Sequence, residues 1–251
     1  MMKPVATWFI TATLALLTAS DPFIGEYQLA TTPLRARARV SDGFVSLFFE
    51  ALDEPEDSVA VGPIRLIGGP STYTVDYGNF GIIKSFIESH TGTSSIPQVQ
   101  IQDGDLTTLT EYGPLTFKTK FQGKEVAFTR RALPLVAGTY VYTQGASFAL
   151  ILRVTTDVET SVEMIFRCDN AGRERQFQRT FRDLIVGELT NAQFGAGADY
   201  REFIDEVATG CSKSDLPTDS HTFIVFLATD YAAYLRLEGQ PSKTFALAKI
   251  L

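Results

Sequence analysis

The sequence predicts a mainly β protein of the α+β class, built from two internally repeated antiparallel units that each contain one short helix. Three observations support this fold class. Apolar and polar residues alternate along many segments, turn-forming residues separate these segments, and short motifs recur in the same order in both halves. Each unit could form a barrel or a sandwich. The predicted organisation is a signal peptide at residues 1–20, a first β-rich repeat at 21–132 and a second at 133–251.

The first 20 residues have the layout of a secretory signal peptide. Lys3 precedes a mainly apolar run at residues 5–17, and small residues follow up to Ser20. The run is shorter than the roughly 20 residues that a membrane-spanning helix needs. We therefore expect cleavage after Ser20 and a secreted, extracellular protein without a membrane span. An uncleaved anchor is the alternative.

The repetition is clearest in the motif that opens each half, Gly25-Glu26-Tyr27 and Gly138-Thr139-Tyr140. Further pairs follow in the same order at a slowly growing offset, as insertions in surface loops would produce. These pairs are Arg39 with Arg153, residues 47–49 with 164–166, Phe86 with Phe203, Tyr112 with Tyr231, and residues 124–130 with 243–249. The collinear order indicates an internal duplication.

Period-two alternation and branched or aromatic residues predict the strands, including residues 34–40, 44–49, 148–154 and 162–168. One helix interrupts the strands in each half, because apolar residues at 83–90 and at 200–211 follow helical spacing. The second repeat has Ala149 and Ile151 where the first has arginines. This strand is therefore predicted to be buried on both faces or to line an apolar cavity.

Arg35, Arg37 and Arg39 share one face of a predicted strand whose other face is apolar. Side chains two residues apart on a strand lie about 6.6–6.8 Å from each other, so three guanidinium groups would line one surface. Such a row could bind an anionic ligand, such as a fatty-acid carboxylate or a sulfated sugar. The interpretation we favour is a solvent-facing edge strand, where charge discourages pairing with other chains. The three arginines are the candidate ligand-binding residues.

Two cysteines, Cys168 and Cys211, are predicted to form a structural disulfide. An even number of cysteines in an oxidising compartment usually means a bridge. The bridge would connect the end of a strand to the end of the second helix. A metal or redox site is the alternative, but the sequence contains no C-x-x-C motif and no nearby histidine cluster.

No convincing catalytic constellation is present, so we predict a non-enzymatic protein without a metal site or a cofactor. The two histidines are His90, beside an apolar helix face, and His221, near Ser220, Asp215 and Asp219. Adjacent residues on a strand point to opposite sides, so Ser220 and His221 would not converge as nucleophile and base. The acidic runs at residues 53–57 and 103–105 lack the EF-hand pattern and are interpreted as solvated turns.

Between the repeats, Arg130 and Arg131 form a dibasic pair that two residues separate from Pro134. In a secreted protein such a pair could be a processing site. The interpretation we favour is a strand end with two solvated arginines, because Arg130 aligns with Lys249 at a strand-like position.

The net charge of −7 predicts an acidic surface. Nucleic acids are polyanions that such a surface repels, so no nucleic-acid partner is expected. The remaining partners are a small hydrophobic ligand or an extracellular protein or glycan.

The start of each half, Phe23-Ile24-Gly25-Glu26-Tyr27 and Val136-Ala137-Gly138-Thr139-Tyr140, resembles the G-x-W first strand of calycins, the lipocalin, fatty-acid-binding and avidin group. The resemblance covers about 30 residues in each half and implies antiparallel barrels, in two tandem copies, with an interior ligand site. It leads us to expect a secreted binding protein for an apolar or amphipathic small ligand. An extracellular protein- or glycan-interaction module is the alternative, and a secreted hydrolase is a third.

Overall fold

Two antiparallel sheets, one in each half of the chain, make up the protein in the computed structural model. The structure describes residues 23–250, apart from residues 54–56, 93–94, 157–158, 171, 183, 187–192 and 220. The predicted signal peptide lies outside the described residues. The predicted fold class is confirmed, since the chain is mainly β and each half contains one short helix.

The first sheet is closed into a barrel. Its elements are β1 (Gly25–Thr31), β2 (Leu34–Ser41), β3 (Phe44–Ala51), β4 (Ser58–Gly68), β5 (Tyr73–Asp76), α1 (Phe80–His90), β6 (Thr108–Leu109), β7 (Thr116–Phe121) and β8 (Lys124–Arg131). The strand order is β6-β5-β4-β3-β2-β1-β8-β7. Thr110, directly after β6, exchanges two backbone hydrogen bonds of 2.8 Å with Lys118 of β7. This bridge joins the two ends of the sheet.

The second sheet has its strands in a similar order, but its two edge strands do not pair in the part of the chain that the structure describes. We call the opening between these edges the seam. Its elements are β9 (Gly138–Gln144), β10 (Phe148–Thr155), β11 (Ser161–Asn170), β12 (Arg173–Phe181), β13 (Ile185–Val186), β14 (Gln193–Ala196), α2 (Ala198–Gly210), β15 (Thr222–Thr229), β16 (Ala232–Leu237) and β17 (Lys243–Ile250). The strand order is β12-β11-β10-β9-β17-β16-β15-β14-β13. Within the described residues, no pairing connects β12 to β13.

The two halves share strand register as well as strand order. Gly25 of β1 pairs with Val40 of β2, and Gly138 of β9 pairs with Val154 of β10. The four strands that open each half run in the same order, and the last strand of each half pairs with the first. The motifs that open and close each half therefore occupy corresponding places in two similar curled sheets. The pairs Phe86 with Phe203 and Tyr112 with Tyr231 do not share an environment, because Phe86 and Tyr231 are exposed while their counterparts are buried.

Aromatic and branched side chains fill the interior of both units. In the first barrel, Phe117 stacks on Tyr112 and on Phe128, with ring centroids 5.6 and 4.9 Å apart. In the second unit, α2 adds Phe203 and other apolar residues to the core. The prediction for β10 is wrong, because Ala149 and Ile151 lie half-buried on its outer face. Neither helix in the described part of the chain has the length and hydrophobicity needed to cross a membrane.

The predicted disulfide between Cys168 and Cys211 is confirmed. It connects β11 to the residue that follows α2, and Asn170 donates a hydrogen bond of 3.2 Å to the carbonyl oxygen of Gly210 at the same joint. An ion pair between Arg179 of β12 and Asp199 holds the other end of α2. The helix is thus fastened to the strands on one side of the seam. The first barrel closes by strand pairing and has no cysteine at this joint.

Replacing both cysteines by alanine is expected to destabilise the second unit by about 4 kcal/mol, because the bridge closes a long loop of the unfolded chain. Urea unfolding followed by circular dichroism at neutral pH measures this change. As a control, adding a reducing agent should lower the unfolding midpoint of the wild type and leave that of the double variant unchanged. A double variant with the wild-type midpoint would contradict the prediction.

Candidate functional site

The two repeats meet along β15, which is buried on both faces. One face of the strand lines the second core, and the other packs against the start of the first repeat. The residues of this contact are Ala132, Ile224, Phe226, Ala228 and Tyr234, with Phe23, Ile24 and Leu115 against them. The backbone N–H of Ile24 donates to the Tyr234 hydroxyl at 3.0 Å. The sequence signal for this contact is the unbroken apolar run of β15, which is typical of a strand buried on both faces.

Arg130 lies inside this contact, so the prediction of a solvated side chain is wrong. The residue is 1% exposed. Its guanidinium group donates to the carbonyl oxygens of Pro114 and Ile24 and to the hydroxyl of Tyr27. The cation also faces the rings of Tyr27, Phe226 and Tyr234, at 4.3, 5.3 and 5.3 Å. A buried side chain makes the dibasic pair a poor processing site in the folded protein.

The repeated Gly-x-Tyr motif marks a joint between the first and last strands of each unit. Tyr27 is the register partner of Arg130, and Tyr140 is the register partner of Lys249. Each cation lies over the tyrosine ring of its unit, and a side chain at either glycine would collide with it. The tyrosine hydroxyls reach equivalent carbonyl oxygens, those of Phe23 at 3.4 Å and Val136 at 3.0 Å. The motif is therefore structural.

Burial dominates the electrostatics of the tyrosines around Arg130. It raises the pKa of Tyr27 and of Tyr234, although the Arg130 guanidinium acts in the opposite direction on both. Burial also raises the pKa of Tyr112, and the neighbouring Tyr27 adds to that effect. The hydroxyls around the buried cation therefore stay neutral at physiological pH, and the aromatic rings rather than ionised oxygens stabilise its charge.

The predicted arginine row lies on the outer face of the first barrel. Arg35, Arg37 and Arg39 alternate with buried residues along β2, as the sequence indicates. The edge-strand interpretation is wrong, because β2 pairs with β1 over its length and with β3 on the other side. The charges therefore do not protect an open edge.

Two carboxylates compensate part of this row. Glu50 accepts hydrogen bonds from Arg35 at 3.2 Å and from Arg37 at 2.8 Å. Glu26 lies within 3.1 to 3.3 Å of guanidinium nitrogens of Arg37, Arg39 and Arg131. Phe48 lies beneath Arg37 and Arg39, with its ring centre 5.1 and 5.2 Å from the two guanidinium carbons. Four arginines share two carboxylates, so the face carries two uncompensated positive charges on an acidic protein.

Glu26 is the most heavily shared acid of this face. Burial by itself would raise its pKa, but Arg37, Arg131 and Arg39 together lower the pKa of the carboxyl below its ordinary value of 4.5. Sequence inspection missed both acids, since neither is near the arginines along the chain. Strand register was the signal that could have found them, because Glu50 pairs with Arg35 and Glu26 pairs with Arg39.

A groove of about 570 Å³ opens where this face meets the second repeat. We call it the junction groove. Tyr231, at the turn between β15 and β16, is 71% exposed on one side, and the side chains of Arg39 and Arg131 are 58% and 50% exposed on the other. The residues that line it are Gly25, Glu26, Arg37, Arg39, Val40, Ser41, Arg131, Leu133, Ala228, Thr229, Asp230 and Tyr231. The Nε atom of Arg37 is buried and has no hydrogen-bond partner among the described residues.

His90 and the acids near His221 are engaged in other ways. His90 is exposed and stacks on Phe86 with ring centroids 4.2 Å apart. Asp215 pairs with Lys243 at 2.7 Å, which lowers the pKa of the Asp215 carboxyl. Asp219 accepts from the backbone N–H of Gln240. Ser220 lies outside the described residues.

Asp105 is a buried acid in the first repeat. Asp105 corrects the solvated-turn interpretation of its run, because it is fully buried and accepts backbone hydrogen bonds from Gln102 and Gly123. Within the described ranges, no group of three potential metal ligands is found.

The comparisons with known proteins add no family. No protein-family model and no curated protein matches the chain. One similar solved structure is from Eubacterium rectale ATCC 33656 and is provisionally described as a DNA polymerase III beta subunit. The two chains have 10% sequence identity and a TM-score of 0.22, and the match covers 91% of this chain and 57% of that chain. A TM-score this low carries no argument about fold or function.

Replacing Arg130 by alanine is expected to destabilise the protein by about 3 kcal/mol, because charge-assisted hydrogen bonds and the packing of the junction are lost together. Lys249→Ala is the matched control, since Lys249 occupies the same register position but is only half-buried. The Lys249→Ala substitution should lower the free energy of unfolding by less than about 1 kcal/mol. Urea unfolding followed by circular dichroism compares the two variants. Equal effects would contradict the structural role given to Arg130.

Replacing Glu26 by glutamine is expected to lower the free energy of unfolding at pH 7 by roughly 1 kcal/mol, a value near the upper end for exposed ion pairs. A carboxyl with a lowered pKa contributes stability above its unfolded pKa and loses it as the pH falls. The difference between the variant and the wild type should therefore shrink below pH 4.5. Thermal unfolding from pH 7 to pH 3 tests this. A difference as large at pH 3 as at pH 7 would show that charge is not the cause.

Proposed function

We propose that this is a secreted, non-enzymatic binding protein that holds a small amphipathic anion in the junction groove. The observation that carries the proposal is the composition of the groove. Arg39 and Arg131 offer exposed guanidinium groups on one wall, while Leu133 and Tyr231 offer apolar surface on the other. A ligand with an acidic head and an apolar body matches both walls.

The chemistry of the groove supports this ligand class. A guanidinium group binds carboxylate and sulfate oxygens through two parallel hydrogen bonds, which adds geometric selectivity. The volume of about 570 Å³ falls in the ordinary range of small-molecule sites. Side chains fill the interiors of both units, and this favours a ligand between the repeats over one inside a barrel.

The overall charge supports a small ligand rather than a polymer. Only two uncompensated positive charges occupy the arginine face, whereas the whole protein carries a net charge of −7. A long polyanion would extend past this face onto negative surface and be repelled there. A single acidic group can be accommodated by the arginines alone.

Secretion and family membership are parts of the same proposal. The disulfide is of a kind that persists in oxidising compartments, and the leader-like residues 1–20 supply the export route. Two curled antiparallel sheets that each begin at a Gly-x-Tyr strand support a relationship to the calycins. The ligand site would then lie outside the barrels in this protein.

A second candidate function is an extracellular module that binds a protein or a glycan through the arginine face. The observation that favours it is the extent of the charged surface, which continues from the groove across Arg35 and Phe48 on the outside of a filled barrel. Loss of binding to a macromolecular partner on changing Arg35, with small-ligand binding intact, would select this function.

The proposal predicts that purified protein is stabilised by amphipathic anions. Octyl sulfate or octanoate, below the micellar concentration, should raise the unfolding midpoint, and native mass spectrometry should detect the bound molecule. The double variant Arg39→Ala, Arg131→Ala should lose at least tenfold in affinity, since charge-assisted contacts to two guanidinium groups are removed.

Arg153→Ala is the matched control. Arg153 is the equivalent of Arg39 in the second repeat, is 54% exposed and pairs with one carboxylate, that of Glu163. This variant should bind like the wild type. The proposed function fails if no amphipathic anion binds the wild type, or if Arg153→Ala weakens binding as much as the groove variant does.

A further inference from the structure

We infer that the Glu26 carboxylate occupies the anion position of the junction groove in the free protein, and that the groove therefore selects sulfate esters over carboxylates. This inference rests on the proposed function and names the head group of the ligand. Glu26 would be a specificity-determining residue, because the ligand must share the three arginines with a carboxylate that is already there.

The geometry around Glu26 is that of a filled anion site. One carboxylate oxygen accepts from Arg131 at 3.1 Å, and the other lies 3.3 Å from Arg37 and 3.2 Å from Arg39. These arginines come from two strands, β8 and β2, on either side of β1. Three guanidinium groups thus converge on one acid whose side chain is only 15% exposed. The convergence indicates where an anionic head group would be held.

The two kinds of head group differ in how they can share this position. A carboxylate has two oxygens in one plane and would duplicate the contacts that Glu26 already makes. A sulfate ester has three terminal oxygens in a pyramid, so each oxygen can face a different arginine while Glu26 keeps part of its contacts.

Charged residues from three neighbouring elements lie around Glu26. Arg37 and Arg39 come from β2, Arg131 comes from β8, and Asp230 is the acid that the turn after β15 adds to the groove. Glu50 affects Glu26 indirectly, because it forms an ion pair with Arg37. Removing the negative charge of Glu26 therefore leaves an arginine cluster whose attraction for an anion is opposed by Glu50 and Asp230.

Protonation of Glu26 separates the two ligand classes. Its pKa lies below 4.5, so its charge is lost only in acid. A sulfate ester remains ionised there and should bind more tightly as Glu26 is neutralised. A carboxylate ligand has an ordinary pKa of about 4 to 5, so it loses its own charge over the same range and should bind more weakly.

The test is isothermal titration calorimetry of wild type and Glu26→Gln with octyl sulfate, octanoate and the neutral octyl glucoside. At pH 7 the variant is expected to bind octyl sulfate about tenfold more tightly than the wild type does, because a like charge beside the head group is removed. On lowering the pH from 6 to 3, wild-type affinity for octyl sulfate should rise below pH 4.5, while that of the variant changes less. Octyl glucoside should bind neither protein.

Two control variants isolate the role of Glu26. Glu163→Gln removes the acid that pairs with Arg153 in the second repeat and should leave octyl sulfate binding unchanged. Asp230→Asn removes the other groove acid and should strengthen binding without abolishing the pH dependence.

The outcomes distinguish this inference from the proposed function. If the wild type binds octyl sulfate but Glu26→Gln binds it equally or more weakly at pH 7, the inference is wrong and the proposed function stands. A wild type that prefers octanoate at pH 7 would overturn the sulfate preference in the same way. If folded wild type and variant bind neither anion, the proposed function fails and the inference fails with it.

Discussion

The structure depends on one joint that occurs twice, a cation from the last strand lying over a tyrosine of the first strand. Arg130 lies over Tyr27 where the first and last strands of the first unit pair, and Lys249 lies over Tyr140 at the same place in the second. The cation needs space beside the strand, and a glycine two residues before the tyrosine provides it. In both units the joint lies where the first strand of the repeat pairs with the last. The rest of each sheet then follows by hairpins.

The two joints have different cations, and only the first joint is covered by the other repeat. The second repeat packs Phe226 and Tyr234 onto Arg130, so that cation must be satisfied without water. Arginine suits this place, since its planar group reaches two carbonyl oxygens and a hydroxyl while its faces lie against aromatic rings. Lys249 stays half-exposed, where a compact and strongly hydrated ammonium is adequate. The contact between the repeats thus depends on the joint that closes the first of them.

The alternation of apolar and polar residues and the repeated motifs predict most of the fold. They do not predict which strands pair to close a sheet, or the register of that pairing. Alternation along β2 correctly places Arg35, Arg37 and Arg39 on one face. The presence of two cysteines correctly predicts the disulfide. Whether β2 is an edge depends on pairing with distant strands, which alternation does not reveal. Burial of Arg130 depends on the docking of a second repeat. The acids of the candidate site were missed because only register brings Glu26 and Glu50 beside the arginines.

The position of the candidate site follows from the same joint. Tyr27 points inward to the joint, so Glu26, its neighbour on β1, must point outward, into the junction groove. The second repeat keeps the inward residue as Tyr140 but has Thr139 at the outward position. The two repeats therefore share the tyrosine of the joint and differ at the outward position beside it. Since the groove is also lined by β8 and by the turn after β15, its chemistry belongs to the pair of repeats and to neither alone.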